Sequence, residues 1–306
     1  MLPCHNEAAA VAKVVSDFRL ALPMAEIHVF DNDSSDSTVA VARAAGARVH
    51  AVSRRGKGNV VRRMFADIDA DIYVLADGDA TYDAASAPIM IGRLVGADLD
   101  MVVGTRAHQR NEAYRPGHQI GNRLLTGAMR RIFGGTFTDM LSGYRVLSRR
   151  FVKSFPATSH GFEIETELTI HAQELRMPCA EVTTTYGVRP TGSESKLRTY
   201  ADGWRILVTI IRLFAIERPF RFYGAMSLLV GLISLGLAAP LLITYVNSGA
   251  VPRLPTAVLA TGLGMMAGLS FFAGLILETV TVGRRELRHL IYLSVGTFAR
   301  RRRSDD

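Results

Sequence analysis

Through the first hundred residues, short runs of apolar and β-branched side chains alternate with stretches whose apolar positions recur every three or four residues. The runs at 27–30, 48–52, 72–76 and 101–104 read as strands, and the periodic stretches at 8–20, 38–45 and 58–66 read as helices. Strands separated by helical crossovers predict an α/β domain with a mostly parallel sheet. Two strands end in clusters of turn formers and acids, Asp31-Asn-Asp-Ser-Ser-Asp-Ser-Thr38 and Asp77-Gly-Asp79. Ligands of open α/β sheets sit beyond the carboxyl ends of strands, so two such clusters predict one shared site. Met1-Leu2-Pro3 leaves almost no room for a strand before Cys4-His-Asn-Glu7, and the expectation is a true start upstream of Met1. Farther on, 106–150 reads as loop and helix, 163–175 as helix, 181–186 as strand, and Arg189-Pro-Thr-Gly-Ser-Glu-Ser-Lys196 as a polar loop.

The pattern then changes. Residues 200–221 carry Trp204, Ile206, Leu207, Ile210, Ile211 and Phe214 at helical spacing, with Arg205 and Arg212 between them, which predicts a helix lying in a membrane interface. No charged residue or histidine occurs from Phe222 to Val251 or from Leu254 to Leu277. About 20 apolar residues cross a bilayer core as a helix, so spans are expected at 222–246 and 256–278. The loop between them is short and makes a hairpin. Arg212, Arg218 and Arg221 precede the first span, Arg284, Arg285 and Arg288 follow the second, and Arg300 to Arg303 close a basic tail at 279–306; the loop holds only Arg253. The positive-inside rule therefore puts residues 1–199 and the C-terminus in the cytoplasm, on a multi-pass protein of the inner (cytoplasmic) membrane. No cleavable signal sequence is expected.

Charge and cysteine content change little in this picture. The net charge of +8 suggests nucleic acid at first sight, but the basic residues gather beside the spans, where anionic head groups attract them; nucleic-acid binding is not expected. The two cysteines, Cys4 and Cys179, have no metal-binding spacing and fit reduced cytoplasmic thiols. His108, His118, His160 and His171 lack paired spacing and read as surface or satisfied polar groups. Glu163 and Glu167 share a helix face while Glu165 points elsewhere, so a solvated helix face competes with a sugar contact for their role. Gly262, Gly264 and Gly268 would permit close helix approach, compatible with a homo-oligomer.

Asp77-Gly-Asp79 follows the apolar strand Ile72-Tyr-Val-Leu-Ala76. Paired carboxylates at such a strand end suit a hard divalent cation, which keeps open positions for phosphate oxygens. Six motifs then occur in order: Met1-Leu-Pro-Cys-His-Asn-Glu7, Asp31-x-x-Ser-x-Asp-x-Thr38, Gly56-Lys-Gly58, Asp77-Gly-Asp79, Thr138-Asp-x-x-Ser-Gly-Tyr-Arg145, and Arg189 to Lys196. Together they resemble the family-two glycosyltransferases of A-type, Rossmann-like fold, most of all the dolichol-phosphate mannose synthases and bacterial polyprenyl-phosphate glycosyltransferases. The resemblance spans about residues 1–215.

That resemblance implies an enzyme that moves one sugar, with inversion, from a nucleotide diphosphate onto a polyprenyl (undecaprenyl or dolichyl) phosphate in cell-envelope lipid-linked sugar synthesis, with UDP preferred over GDP. Pro3, Glu7, Asp31, Lys57 and Asp77 would bind the nucleotide, and Asp77 and Asp79 would hold Mg²⁺ or Mn²⁺. Many relatives carry Gln where this chain has Thr81, which leaves the ligand set open. Arg189, Ser195 and Lys196 resemble the loop that closes over the donor diphosphate. Asp139 would sit at the reacting centre as a base or as an orienting charge. Arg106, Arg110, Arg115 and Arg123 fall where relatives bind the acceptor phosphate, with Arg106 and Arg123 carried first and Ser142 beside them. A processive polysaccharide synthase is the alternative enzyme, disfavoured because Trp204, in Gly203-Trp-Arg205, lacks the Gln-x-x-Arg-Trp setting and two spans are few for a polymer channel. A non-catalytic membrane scaffold has no use for such a gathering of carboxylates and cations.

Overall fold

The computed structural model describes residues 1–107, 127, 137–161, 163–187 and 199–296. They divide into two compact units, Met1–Val208 with the segment from Arg288, and Thr209–Leu287.

The first unit is built on seven strands: β1 (Leu2–Cys4), β2 (His28–Asp31), β3 (Arg48–Ala51), β4 (Ile72–Leu75), β5 (Met101–Ala107), β6 (Arg145–Ser148) and β7 (Cys179–Thr185). One group runs β1-β2-β3 and the other β4-β6-β5-β7. Two backbone hydrogen bonds join them, Met1 N to Val74 O at 2.7 Å and Ala76 N to Met1 O at 3.3 Å. Among the described strands, β6 alone runs antiparallel to its neighbours; the other ladders are parallel. The mostly parallel sheet expected from the alternating pattern is therefore present. Helices α1 (Val11–Ala21), α2 (Thr38–Ala44), α3 (Lys57–Asp67), α4 (Ala87–Gly96), α5 (Arg149–Ser154) and α6 (Ile164–Glu174) cover the sheet. Residues of α3, α5 and α6 fill one core with Phe30, Tyr73, Leu75 and Met101; those of α1 and α4 fill another with Val29, Val102 and Val146. Parallel strands buried on both faces read as continuous apolar runs, which is why they stood out in the sequence.

Three elements differ from the sequence reading. The Met1–Glu7 stretch does form a strand, β1, three residues long, paired in parallel register with β2. Residues 145–148 form β6, where loop and helix were expected, because Arg145 is fully buried. Its guanidinium donates to Ser142 O, Met140 O, Glu165 O and Thr169 Oγ1 at 2.8–3.0 Å, and these acceptors make a charged residue tolerable inside a central strand. Helix α4, with Pro88 in its first turn, was not anticipated.

The second unit holds the C-terminal end of α7 (Thr199–Glu217), then α8 (Pro219–Ser248) and most of α9 (Leu254–Ser294). Helices α8 and α9 are long and apolar enough to cross a membrane, each holding an 18-residue stretch with a mean hydropathy of 2.3 and 1.7 respectively. Gly249, left-handed at φ 69°, ends α8. The helices meet along small residues of α9 spaced by seven, Ala260, Ala267, Gly274 and Thr281, all buried. Ser234 donates to Ala260 O and Ser227 to Ala267 O, each at 2.7 Å. Of the three glycines singled out from sequence, a Cβ on Gly264 would meet Ser234 Oγ at 3.3 Å, whereas Gly262 and Gly268 face open space. Thr281 and Arg284 donate to Ile216 O, and Arg285 to Glu217 O, so basic residues also satisfy the terminal carbonyls of α7.

His171 on α6 packs edge-on against Phe151 and Phe155, both at 5.3 Å between ring centroids, with Nε2 3.0 Å from Ser154 Oγ. Burial, reinforced by the positive charge of Arg288, pushes its imidazole down to about 3. The folded protein therefore keeps it neutral, while the unfolded chain takes up a proton at the ordinary value of 6.5. Stability from this group is complete above pH 6.5 and falls as the pH drops toward about 3, by about 2 kcal/mol at pH 5. In thermal melts of the full chain in detergent, His171→Gln is expected to flatten the decline between pH 7 and pH 5; parallel wild-type and variant curves would refute the assignment.

Candidate active site

The carboxyl ends of β1, β2 and β4 converge on a cavity of about 280 Å³. Pro3, Glu7, Lys57, Asp77, Asp79 and Arg106 line it, as do Asn32, Arg55, Tyr82, Glu165 and Tyr186, which sequence reasoning did not assign. Of the remaining anticipated residues, Asp31, Asp139 and Ser142 lie behind its walls. Arg110, Arg115, Arg123, Arg189, Ser195 and Lys196 lie outside the described residues.

Glycines shape the cavity by letting backbones touch. Gly56 has φ 120°, and a Cβ on it would meet His160 O at 2.2 Å; one on Gly58 would meet Ser159 O at 2.3 Å. The Gly-Lys-Gly spacing thus seats the start of α3 against residues 159–160 and leaves only Lys57 projecting inward. That partner loop is itself held by Glu167, whose carboxylate accepts from the amides of Thr158 and Ser159 at 2.9 and 2.8 Å. Asn32 fastens the other side, accepting from Gly56 N at 2.7 Å and donating to Arg54 O at 2.7 Å. Between the two acids, a Cβ on Gly78 would meet Cys4 Sγ at 2.3 Å.

Lys57 is the centre of charge. Its side chain is 9% exposed; the ammonium contacts Asp77 Oδ1 and lies 2.5 Å from Glu165 Oε1. Burial works against this cation, but the Asp77 and Glu165 carboxylates outweigh it and hold its pKa above the ordinary value. Burial conversely raises Glu165, with Lys57 opposing the shift. Asp79 is buried, and both the amide and the hydroxyl of Thr81 donate to its Oδ1, at 3.2 and 2.6 Å. Ala80 at φ 59° turns the chain back to make this possible. Thr81 therefore orients a carboxylate by hydrogen bonding. Two hard oxygen donors, one oriented by a hydroxyl, are the donor chemistry that a hard divalent cation prefers, short of a full shell and leaving positions for help from a ligand. Among the described residues no group of three or more His, Cys, Asp or Glu side chains could hold a metal without such help.

Arg106 and Asp139, read from sequence as separate groups, form one unit. Arg106 Nε and Nη2 each lie 2.7 Å from an Asp139 oxygen, a bidentate fork, and the guanidinium sits 5.6 Å over the Tyr186 ring. Glu181 on β7 pins the segment by accepting from Thr138 N at 2.7 Å and Asp139 N at 3.3 Å. Ser142 is fully buried, and its hydroxyl donates to Gly104 O at 2.6 Å. It builds the loop and leaves the acceptor set. Asp31, also buried, accepts from Ser34 N at 3.2 Å and shapes the turn after β2.

The close approach at Gly56 makes a sharp test. Gly56→Ala should cost about 2 kcal/mol or more, lowering the apparent melting temperature by about 5 °C and abolishing nucleotide binding. Gly92→Ala, where a Cβ meets open space on the exposed face of α4, should be neutral or slightly stabilising. Equal melting temperatures for the two variants would remove the packing account.

The sequence profile of glycosyl transferase family 2 matches residues 1–155. The chain is 36% identical over 240 residues to glycosyltransferase AglJ of Haloferax volcanii, covering 78% of each protein. It is 28% identical over 215 residues to a dolichyl-phosphate hexose transferase of the same organism, covering 70% of this chain and 92% of that protein. Among solved structures, glucosyl-3-phosphoglycerate synthase from Mycobacterium tuberculosis, in complex with Mn²⁺, UDP and glucosyl-3-phosphoglycerate, superimposes with a TM-score of 0.59 at 25% identity, covering 69% of this chain and 77% of that one. The family profile reaches across the whole of Asp77-Gly-Asp79 and its supporting strands, and the chain is a glycosyltransferase that belongs to glycosyl transferase family 2.

Proposed function

We propose that this glycosyltransferase moves a single sugar from a nucleotide diphosphate, UDP in preference to GDP, onto a polyprenyl phosphate at a membrane surface. The carrying observation is one cavity in which the Asp77-Gly-Asp79 acids and Lys57 stand across from an arginine fork, in a chain whose last third holds two helices long and apolar enough to span a bilayer. Likeness to a dolichyl-phosphate hexose transferase supports the lipid acceptor, and the UDP in a neighbour's structure supports the donor. Trp204, Leu207 and Ile211 of α7 are exposed, in keeping with a helix that rests in an interface. The arginine distribution supports a cytoplasmic active site and C-terminus on an inner membrane.

In the proposed reaction an acceptor phosphate oxygen attacks the anomeric carbon, a C–O bond forms there, and the bond to the donor diphosphate breaks, so the nucleoside diphosphate leaves. A phosphate monoester is already anionic at neutral pH and needs alignment more than deprotonation. Asp139, with both oxygens engaged by Arg106, suits the orienting role: it holds the guanidinium over the Tyr186 ring for phosphate recognition. Arg123 would share that duty. Asp77 and Asp79 would hold Mg²⁺ or Mn²⁺, which when bound neutralises charge on the departing diphosphate. Pro3 and Glu7 line the nucleotide side, and Arg189, Ser195 and Lys196 would close over the diphosphate.

The test is a donor screen of purified protein with a short polyprenyl phosphate in vesicles, read by mass spectrometry. One UDP-sugar should yield a monoglycosylated lipid phosphate. EDTA should abolish transfer, and Asp79→Asn should reduce it about 100-fold or more. Full turnover in EDTA or in Asp79→Asn would overturn the metal assignment, and transfer only to soluble acceptors would overturn the lipid assignment.

A further inference from the structure

We propose that Glu165 is a positioning residue of the donor pocket: with Asp77 it clamps the Lys57 ammonium, and this clamp keeps Asp77 from taking a divalent cation until a nucleoside diphosphate engages Lys57. The inference rests on the donor reading above and assigns a role to a carboxylate that the reading leaves unused.

Glu165 does not behave as a solvated helix residue. Its side chain is 6% exposed, and its backbone carbonyl accepts from Arg145 Nη2 at 2.9 Å and Thr169 Oγ1 at 3.0 Å, so the first turn of α6 is fixed from inside the protein. Its Oε2 is buried without a hydrogen-bond partner among the described residues. The charge of this carboxylate is therefore met chiefly by Lys57. Asp77, the partner on the opposite side, is 28% exposed and faces the cavity. The backbone at Gly143 closes a further side, because a Cβ there would lie 2.8 Å from Asp77 Oδ2 and 3.0 Å from Lys57 Nζ.

Two consequences follow from charge. The cavity walls carry four carboxylates, Glu7, Asp77, Asp79 and Glu165, against Arg55, Lys57 and Arg106. A diphosphate alone meets this excess of negative charge, while a cation alone meets an Asp77 whose charge Lys57 already offsets in part. Arriving together they satisfy each other: the diphosphate draws on Lys57, Asp77 turns to the cation, and Glu165 keeps the ammonium from following either partner. Glu165 acts on the donor through Lys57 and does not itself touch the reacting atoms.

Mn²⁺ binding, followed by paramagnetic resonance on the full chain in detergent, tests this without turnover. For the wild type, Mn²⁺ should bind at least tenfold more tightly with UDP present than alone. Glu165→Gln removes the charge and keeps the shape. It loosens the hold of α6 on Lys57 and shifts the ammonium toward Asp77, so Mn²⁺ affinity in the presence of UDP should fall about tenfold, while UDP affinity in EDTA holds or rises. A merely structural defect would lower both. Lys57→Met should do the reverse for the metal, raising affinity for Mn²⁺ alone above that of the wild type. Equal Mn²⁺ affinity with and without UDP in the wild type, or Glu165→Gln indistinguishable from wild type, would overturn the clamp while leaving the donor reading intact. A wild type that binds neither UDP nor GDP under any metal condition would remove both.

Discussion

The site depends on one buried cation. Lys57 sits between carboxylates delivered by two other elements, Asp77 from the end of β4 and Glu165 from the first turn of α6. Burying an unpaired charge costs several kcal/mol, so the Lys57 ammonium is not tolerable there without a carboxylate beside it. The surrounding architecture holds them within reach. Gly56 and Gly58 bring α3 against residues 159–160, Glu167 fixes that loop, and Arg145 ties the start of α6 to the loop before β6. The acids at this strand end are thus coupled to the packing of α3 and α6.

Half of this was readable in the residues. Asp77-Gly-Asp79 after an apolar strand and Gly-Lys-Gly before a helix have local signatures, because turns and close backbone contacts demand particular residue types. Glu165 has none. In Glu163-Ile-Glu-Thr-Glu167 the spacing suggests a solvated face, yet Glu165 and Glu167 are buried, Glu165 against Lys57 far off in the chain and Glu167 against the loop just before the helix. The strand at 145–148 was hidden for the same reason: a fully buried arginine looks like a surface residue until its acceptors on Met140, Ser142, Glu165 and Thr169 are known. Arg106 and Asp139 were both noticed, but 33 residues apart nothing in the sequence joins them into a fork.

The helical hairpin offers a parallel lesson. Glycine content suggested where helices approach, but the contact runs along Ala260, Ala267, Gly274 and Thr281, a seven-residue repeat of small residues whose members look unremarkable singly. Serine hydroxyls of α8 reach main-chain carbonyls across that seam. Arg284 and Arg285, which mark the basic flank of the second apolar run, also cap the end of α7. Charge flanking an apolar run can therefore serve helix ends as well.

The central claim, that Asp77-Gly-Asp79 and Lys57 divide a cation and a diphosphate between them, has a direct measurement. It is the anomalous diffraction position of Mn²⁺ in crystals grown with UDP. The account predicts a single peak within bonding distance of Asp79 and of the diphosphate, with the Lys57 ammonium still against Glu165. Well-defined UDP with Mn²⁺ bound away from both acids, or with Lys57 withdrawn from Glu165, would contradict it.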